Sequence, residues 1–357
     1  MQIKKEHNFL SMFNERTGEY IRTGVIKDGK DTGIDPFMAA FPELLDIGIM
    51  GHCKHGRMGL CLKAGIECYQ DGLHSERNNM SLNDFRRIAQ ECKGRTFQFA
   101  LGGCGDPDQH ESFEEILKIC SEHKIVVNFT SSGLGIDNRI AKLCKEYCGA
   151  VAISWYRSPY TVKAINMLLN AGVKTNIHYV LTKDTLSEAI ELLADEKFPK
   201  GINAVVFLLH KPVGLGSYDK MIVNTDERLS EFWKIVDEKQ HPYKIGFDSC
   251  AVPGLINSCT NIAVDSLDTC EGARWSAYIS SDMKMLPCSF DNQEERWAVD
   301  LRTSSIQEAW QSQTFDAFRR SFQNSCPACK DRTACMGGCP IRPEIVICSR
   351  KEKDQTL

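Results

Sequence analysis

The stretch GHCKHGRMGLCLKAGIECYQDG, residues 51–72, contains three cysteines, Cys53, Cys61 and Cys68. Seven residues separate the first pair and six separate the second, a spacing that fits no zinc finger. Three thiolates can bind three irons of a [4Fe–4S] cube and leave the fourth iron open to a small ligand. The alternative is a zinc loop in which His52 or His55 supplies the fourth ligand.

The whole chain has the composition of an ordinary globular protein. It has 357 residues, of which 42% are hydrophobic and 25% are charged. Its net charge of −4 gives no reason to expect a nucleic-acid partner. No apolar run is long enough to span a membrane, and the N-terminal residues lack the apolar core of a signal peptide. We therefore expect a cytoplasmic protein without a membrane partner.

Seventeen cysteines are unusual for such a chain. In a reducing cytosol they favour metal binding or redox chemistry over disulfides. Three lie in the opening loop and seven lie between Cys270 and Cys348. Three of the others, Cys92, Cys120 and Cys144, fall in helical patterns and are expected to be buried structural thiols.

Strand-like and helix-like segments alternate on both sides of the cysteine loop. ELLDIGIMG (43–51) predicts a buried strand, and MSLNDFRRIAQEC (80–92) predicts a helix capped by Ser81. Six such βα units fit into about 200 residues, too few for an eight-fold barrel. The pattern predicts an α/β fold, a partial (β/α)6 barrel of the TIM type followed by a small Cys-rich iron–sulfur domain.

The predicted organisation has four parts. The pattern changes near residues 38 and 240, where βα alternation begins and ends. The parts are an N-terminal extension (1–38), the partial barrel (39–240), a Cys-rich auxiliary-cluster domain (241–350) and a tail (351–357).

Several motifs in chain order resemble those of the radical S-adenosylmethionine (SAM) enzymes. After the three-cysteine loop, GGCGDPDQHESFEEIL (102–117) is similar to the family's GGEP segment, and SSGLG (131–135) is similar to its TNG turn. Ser154 follows the fourth predicted strand, and KPVGLG (211–216) resembles the Gly-rich turn after the sixth. The resemblance covers about residues 40–240, although the family's usual CxxxCxxC spacing is shorter than the Cx7Cx6C spacing here.

The resemblance implies a cofactor set and residue roles. Cys53, Cys61 and Cys68 would bind the [4Fe–4S] cluster, and S-adenosyl-L-methionine would coordinate its open iron. Reductive cleavage would then yield a 5′-deoxyadenosyl radical that abstracts hydrogen from a substrate. Gly105 and Asp106 stand at the GEP positions, where the carboxylate would pair with the SAM ammonium. The other implied SAM contacts are Ser154, Asn176 and Tyr69.

The C-terminal cysteines resemble those of the SPASM domain, which holds auxiliary [4Fe–4S] clusters. CPACKDRTACMGGC (326–339) has the spacing C-x2-C-x5-C-x3-C, with Cys348 further on. By analogy one auxiliary cluster would be bound by Cys326, Cys329, Cys335 and Cys348. A second would be bound by Cys270, Cys288 and Cys339, with Cys259 favoured over Cys250 as a fourth ligand because it is nearer in sequence. Otherwise this cluster has an open iron, and zinc ribbons are the alternative to both clusters.

In this branch the resemblance implies modification of a peptide or protein side chain. A thioether or carbon–carbon crosslink is the leading expectation, with dehydrogenation of a small molecule as the alternative. A non-catalytic iron–sulfur scaffold and a radical enzyme acting on a nucleoside or tRNA are the rivals. The expected partners are the substrate, a flavodoxin- or ferredoxin-type reductant and a separate leader-recognition protein, unless another surface binds the leader. No catalytic base is assigned; the residues considered are Asp291, His178, His210 and Lys211.

Overall fold

Five short strands form the N-terminal segment of the computed structural model, which describes residues 1–322, 329 and 331–348. They are β1 (Gln2–Lys5), β2 (Leu10–Phe13), β3 (Tyr20–Arg22), β4 (Ile26–Lys27) and β5 (Lys30–Asp31). Strands β1–β3 make an antiparallel sheet, and β4–β5 make a small hairpin.

This N-terminal sheet covers the amino ends of the barrel strands. The rings of Phe13 and Tyr20 pack on Phe97, with centroids 5.5 and 6.0 Å apart. Lys174 donates from Nζ to the carbonyl of Thr17 at 2.6 Å. Phe97 and Lys174 each precede a strand of the main sheet, so the segment closes the lower end of the barrel.

The main sheet has ten strands. In chain order they are β6 (Leu44–Met50), β7 (Gln98–Gly103), β8 (Val126–Ser131), β9 (Cys148–Ser154), β10 (Thr175–Leu181), β11 (Ala204–Leu209), β12 (Lys244–Phe247), β13 (Ser276–Ile279), β14 (Lys284–Leu286) and β15 (Val299–Asp300). Their spatial order is β12-β11-β10-β9-β8-β7-β6-β13-β14-β15.

Helices connect the strands and cover the outside of the sheet. They are α1 (Lys54–Arg57), α2 (Leu60–Lys63), α3 (Leu82–Cys92), α4 (Phe113–Glu122), α5 (Asn138–Tyr147), α6 (Pro159–Asn170), α7 (Leu186–Ala194), α8 (Arg228–Glu238), α9 (Val252–Ser258), α10 (Ile306–Trp310), α11 (Gln313–Ser321) and α12 (Arg332–Cys335). None of the helices in the described ranges is long and apolar enough to cross a membrane.

The predicted partial barrel is confirmed, because β6–β12 are parallel to one another. The sheet also continues past the boundary predicted near residue 240. Strand β12 pairs with β11, and β13 pairs in parallel with β6 at the opposite edge. The domain boundaries therefore stay a prediction.

Strand alternation separates a packed outer face from a hollow interior. On β6, Leu45, Ile47 and Ile49 are fully buried on the side that faces the helices. The predicted N-cap of α3 is present, since the Ser81 side chain accepts a hydrogen bond from Asp84 N at 3.1 Å. The apolar core consequently lies between sheet and helices, which leaves the inward positions available for a site.

Candidate functional site

A cavity of about 820 Å³ occupies the interior of the barrel. Small residues along the barrel wall leave this space open. Those on β7 and β9 are Ala100, Gly102, Gly103, Gly149, Ala150 and Ala152. The cavity reaches from the N-terminal sheet, at Phe13 and Glu15, up to the cysteine loop and the C-terminal region.

The three cysteines of residues 51–72 all line the cavity. Cys53 is the N-cap of α1, and its Sγ accepts from Gly56 N at 3.0 Å. A Cβ added to Gly72 would lie 3.4 Å from Cys68 Sγ and 3.6 Å from Cys53 Sγ, so these two sulfurs border one space. Burial raises the pKa of Cys53 and Cys61 to about 12. Binding of a metal cluster must therefore displace thiol protons.

His55 and His52, the candidate fourth zinc ligands, differ in their surroundings. His55 is buried, with Nδ1 3.1 Å from Cys61 Sγ and Nε2 2.6 Å from the Tyr160 hydroxyl. His52 Nδ1 instead lies 3.3 Å from the carbonyl oxygen of Arg77. Within residues 1–322, 329 and 331–348, no three His, Cys, Asp or Glu side chains are grouped closely enough for a single metal ion. A cubane bonds each thiolate to a separate iron corner, so it does not require the three sulfurs to converge on one ion.

Gly105 and Asp106 lie beside the cysteine loop. Gly105 has a φ of +144°, and a Cβ there would collide with the carbonyl oxygen of His52. Asp106 accepts from Ser132 N at 2.7 Å and from Ser132 Oγ at 2.5 Å, and burial raises its pKa. Ser132, within the SSGLG turn, was not singled out in the sequence analysis. It fixes the carboxylate that is predicted to contact SAM.

The other residues predicted to contact SAM also line the cavity. Ser154 is in register with His178, whose Nδ1 lies 3.2 Å from Thr130 Oγ1 and whose pKa is lowered to about 4 by burial. Asn176 is the second residue of β10, at the amino end of the strand, and it accepts from Nδ2 of Asn203, which directly precedes β11, at 2.7 Å. Tyr69 directly follows Cys68 and faces the same space. The structure thus brings Ser154, Asn176 and Tyr69 to one cavity, and their roles stay a prediction.

The Gly-rich turn after β11 holds the end of the cysteine loop. Leu215 N donates to the Cys68 carbonyl at 2.9 Å, and Gly214 has a φ of +64°. Ser217 N donates to the Glu67 carboxylate at 2.7 Å. Glu67 stands where the resembling family has an aromatic residue. Here its carboxylate ties the loop to the turn.

A second group of thiols lines the same cavity: Cys250, Cys270, Cys288 and Cys339. The pKa of Cys250 lies well above its usual value, mainly because of a hydrogen bond with the Cys339 thiol and secondly because of burial. Burial raises the pKa of Cys270 to about 12 and also raises that of Cys288, and the charge of Cys250 adds to both shifts.

Cys259, the ligand favoured from the sequence, is not among these cavity-lining thiols. Its Sγ lies 4.0 Å from the carbonyl oxygen of Trp233. Helix α9 separates it from Cys250, and seven helical residues carry the chain about 10 Å. The structure therefore places Cys250, rather than Cys259, with Cys270, Cys288 and Cys339. Sequence distance does not reveal this helix, and which of the two cysteines is a ligand stays a prediction.

The remaining cysteines are only partly described. Cys326 lies outside the described residues. Cys335 ends α12, and its carbonyl accepts from Thr269 Oγ1 at 2.8 Å. Cys348 Sγ accepts from Asn257 Nδ2 at 3.3 Å. Together with Cys329, these residues remain the predicted ligands of a separate cluster.

Three residues considered as bases have structural partners instead. Asp291 accepts from the backbone of Trp297 at 2.9 Å and of Arg296 at 3.2 Å. His210 Nε2 lies 2.9 Å from the Ser217 carbonyl, and Lys211 forms a buried ion pair with Asp248. These contacts hold the loops around the cavity and leave no clear base among the three.

Comparisons with known proteins agree with this architecture. Residues 270–336 match the SPASM family model, described as an iron–sulfur cluster-binding domain. The structure of Streptococcus suis SuiB bound to S-adenosylmethionine is 17% identical, with a TM-score of 0.66 over 87% of this chain and 77% of that chain. SuiB bound to precursor peptide SuiA is 19% identical, with a TM-score of 0.65 over 87% of this chain and 76% of that chain. Native anSMEcpe with bound AdoMet and Cp18Cys peptide is 16% identical, with a TM-score of 0.61 over 85% of this chain and 91% of that chain. No curated protein sequence matches the chain significantly.

The fold of this chain is therefore shared with SuiB and anSMEcpe, and its C-terminal region matches an iron–sulfur cluster-binding domain. The resemblance drawn from the sequence is thus confirmed for the fold and for the SPASM region. The Cx7Cx6C segment as a cluster loop stays a prediction.

Proposed function

We propose that this protein is a radical SAM enzyme that modifies a side chain of a peptide or protein in the cytoplasm. The observation that carries the proposal is the set of three thiols, the buried Cys53 and Cys61 and the half-buried Cys68, that face one cavity next to Asp106. When bound, the cluster and SAM supply a 5′-deoxyadenosyl radical that abstracts hydrogen from the substrate. A flavodoxin- or ferredoxin-type reductant would deliver the electron.

The chain's own residues fit this chemistry. Cys53, Cys61 and Cys68 offer three thiolates, which leaves one iron corner of a [4Fe–4S] cube for SAM. Asp106 would accept hydrogen bonds from the SAM ammonium. Its carboxylate is already fixed in orientation by the two hydrogen bonds from Ser132. Ser154, the last residue of β9, would bind the carboxylate or ribose, and Asn176, near the amino end of β10, would contact the cofactor from lower in the cavity. Tyr69 would lie along the cofactor.

The C-terminal cysteines would hold two auxiliary [4Fe–4S] clusters. Cys250, Cys270, Cys288 and Cys339 would close the cluster that shares the cavity, because their thiols perturb one another there. Cys326, Cys329, Cys335 and Cys348 would close the other cluster. The four cavity-lining thiols would hold their cluster at the cavity wall, where it would supply an acceptor for the electron left after hydrogen abstraction. The proposed reaction is therefore a net oxidation, such as formation of a thioether or carbon–carbon crosslink. The structures of SuiB bound to precursor peptide SuiA and of anSMEcpe bound to the Cp18Cys peptide support a peptide substrate.

The proposal is tested by anaerobic reconstitution with iron, sulfide and dithionite. We expect addition of SAM to change the electron paramagnetic resonance (EPR) spectrum and to release 5′-deoxyadenosine, measured by liquid chromatography. The Cys68→Ala variant should abolish both. Cys104→Ala is the matched control, because Cys104 is a buried thiol next to Gly105 that does not line the cavity.

The outcomes separate the rival functions. Clusters that assemble without any release of 5′-deoxyadenosine would favour a non-catalytic scaffold. Release that is unaffected by Cys68→Ala would reject the assigned loop. Zinc in place of iron at Cys53, Cys61 and Cys68 would also reject the proposal.

A further inference from the structure

Asp46 is a carboxylate residue inside the barrel that is not among the proposed SAM or cluster ligands. It lies on β6 between Leu45 and Ile47, which are both fully buried on the outer face. Strand alternation therefore turns Asp46 inward, where it lines the cavity. Its neighbour in register on β7 is Ala100, which leaves space in front of the carboxylate.

No other side chain neutralises the Asp46 carboxylate in the part of the chain that the structure describes. Other charged residues of the cavity wall have partners: Lys211 pairs with Asp248, and Lys174 binds the Thr17 carbonyl. Glu271 also faces the cavity, but it lies near Arg22 and Arg274. The Asp46 side chain is exposed to the open interior of the cavity, yet desolvation by the surrounding barrel raises its pKa to about 6, with no contribution from a neighbouring charge. An unpaired carboxylate in this position can be reached by a ligand that supplies the missing charge.

An independent polar group of the cavity wall is also unpartnered. Gln70 is 2% exposed, and its Nε2 has no hydrogen-bond partner in the structure. Its Oε1 accepts from Asn292 Nδ2 at 2.9 Å, which fixes the orientation of the amide. Burial raises the pKa of the Tyr69 and Tyr278 hydroxyls, and the nearby Gln70 amide partly offsets both shifts. Neither hydroxyl forms a hydrogen bond of good geometry with Gln70 Nε2. Tyr278 is in register with Asp46. A buried amide donor therefore faces the same part of the cavity as the carboxylate.

The surroundings favour a cation over a neutral group. Six carboxylate residues and three lysines line the cavity: Glu15, Asp46, Glu67, Asp106, Asp248 and Glu271 against Lys174, Lys211 and Lys244. Two aromatic residues lie near Asp46, since its charge acts on the hydroxyls of both Tyr69 and Tyr278, and Tyr69 also packs on Phe290 with ring centroids 4.8 Å apart. Lys211 Nζ already lies 4.6 Å from the centre of the Phe290 ring. Carboxylates combined with aromatic faces are a common binding site for ammonium and guanidinium groups.

We propose that the barrel cavity binds a substrate with a cationic side chain, and that the Asp46 carboxylate holds this ammonium or guanidinium group. Gln70 Nε2 donates to a carbonyl oxygen of the same substrate, and Tyr69 and Tyr278 form the walls around the cation. The inference rests on the proposed function only in taking the cavity as the substrate site. It narrows the substrate to a peptide segment that contains lysine or arginine.

The test uses two probe peptides and the reconstituted protein. Gly-Lys-Gly and Gly-norleucine-Gly differ in the ammonium group, and their binding is measured by anaerobic equilibrium dialysis. We expect the lysine peptide to bind the unmodified protein at least about tenfold more tightly. Asp46→Asn should abolish this preference. Glu15→Gln is the matched control, since it removes a carboxylate at the lower end of the cavity and should preserve the preference. Equal iron contents establish that both variants are folded.

Each result has a defined meaning. Equal binding of both peptides, no binding of either, or a preference that persists in Asp46→Asn would overturn the inference. Peptide discrimination without 5′-deoxyadenosine release would keep the inference and reject the proposed function. Release of 5′-deoxyadenosine without discrimination between the peptides would reject the inference and keep the proposed function.

Discussion

The Gly72→Ala substitution tests directly whether the loop of residues 51–72 holds a cluster. The backbone of Gly72 is not in the left-handed region, so alanine introduces no backbone strain. Its methyl group would lie 3.2 Å from Cys53 Cβ, 3.4 Å from Cys68 Sγ and 3.6 Å from Cys53 Sγ. These contacts are with side chains that border a cavity, so we expect the metal-free protein to lose only about 1 kcal/mol of stability.

The effect on the cluster should be much larger. Iron bound to Cys53 and Cys68 must occupy the space between their sulfurs, which the alanine methyl group would fill. We expect Gly72→Ala to lose about four of about twelve irons per chain, together with the SAM-dependent EPR change and the release of 5′-deoxyadenosine. Colorimetric iron analysis, EPR and thermal unfolding of the metal-free protein measure the three quantities.

Gly102→Ala is the matched control. Gly102 also lines the cavity, but an added Cβ there would meet nothing within 4 Å. Its iron content should equal that of the unmodified protein. Full iron content and an unchanged EPR response in Gly72→Ala would refute the assignment of the loop.

Three further predictions concern other parts of the cavity. Cys250→Ala should lose about four irons per chain and Cys259→Ala none, and the reverse result would restore Cys259 as the ligand. The Asp46 pKa, raised from 3.8 to about 6, predicts that ionisation destabilises the fold as pH rises through this range. The full linkage value is about 3 kcal/mol, which we reduce to about 1 kcal/mol for solvent screening in an open cavity. Asp46→Asn should therefore raise the free energy of unfolding by about 1 kcal/mol at pH 8 and leave it nearly unchanged at pH 4. Thermal unfolding measures both values, and an equal gain at the two pH values would contradict the prediction. Gly214→Ala should destabilise the protein by more than about 2 kcal/mol in urea unfolding, because its positive φ and collision with the Tyr69 carbonyl act together, and a smaller loss would show that the turn relaxes.

The barrel could be predicted from sequence wherever a strand alternates with a long amphipathic helix. Helices such as α3 and α4 have clear apolar faces, so their strands could be located from the pattern. Strand β12 has only four residues, and β13 follows an irregular segment. Neither shows a period of its own. Their positions depend on pairing with β11 and β6, which are distant in sequence.

The candidate site was predictable where strand ends determine it. Cys53, Asp106 and Ser154 follow different strands, and parallel strands bring their carboxyl ends to one edge of the sheet. Asp46 was missed because it lies inside a strand, although a single carboxylate within the apolar run LLDIGIM was an available signal. Cys250 was ranked below Cys259 because sequence distance does not reveal the helix between them.

The long spacing of the cysteine loop is accommodated by its local structure. The residues between Cys53 and Cys61 do not extend, because they form α1 and the start of α2, and helical residues advance only 1.5 Å each. Gly59, with a φ of +64°, reverses the chain between the two helices, so that Cys61 returns to the cavity. The His55 ring contact with Cys61 then fixes the returned segment. A longer insertion can thus present three thiols to one space as a short loop does, provided that the added residues are helical and a glycine makes the turn.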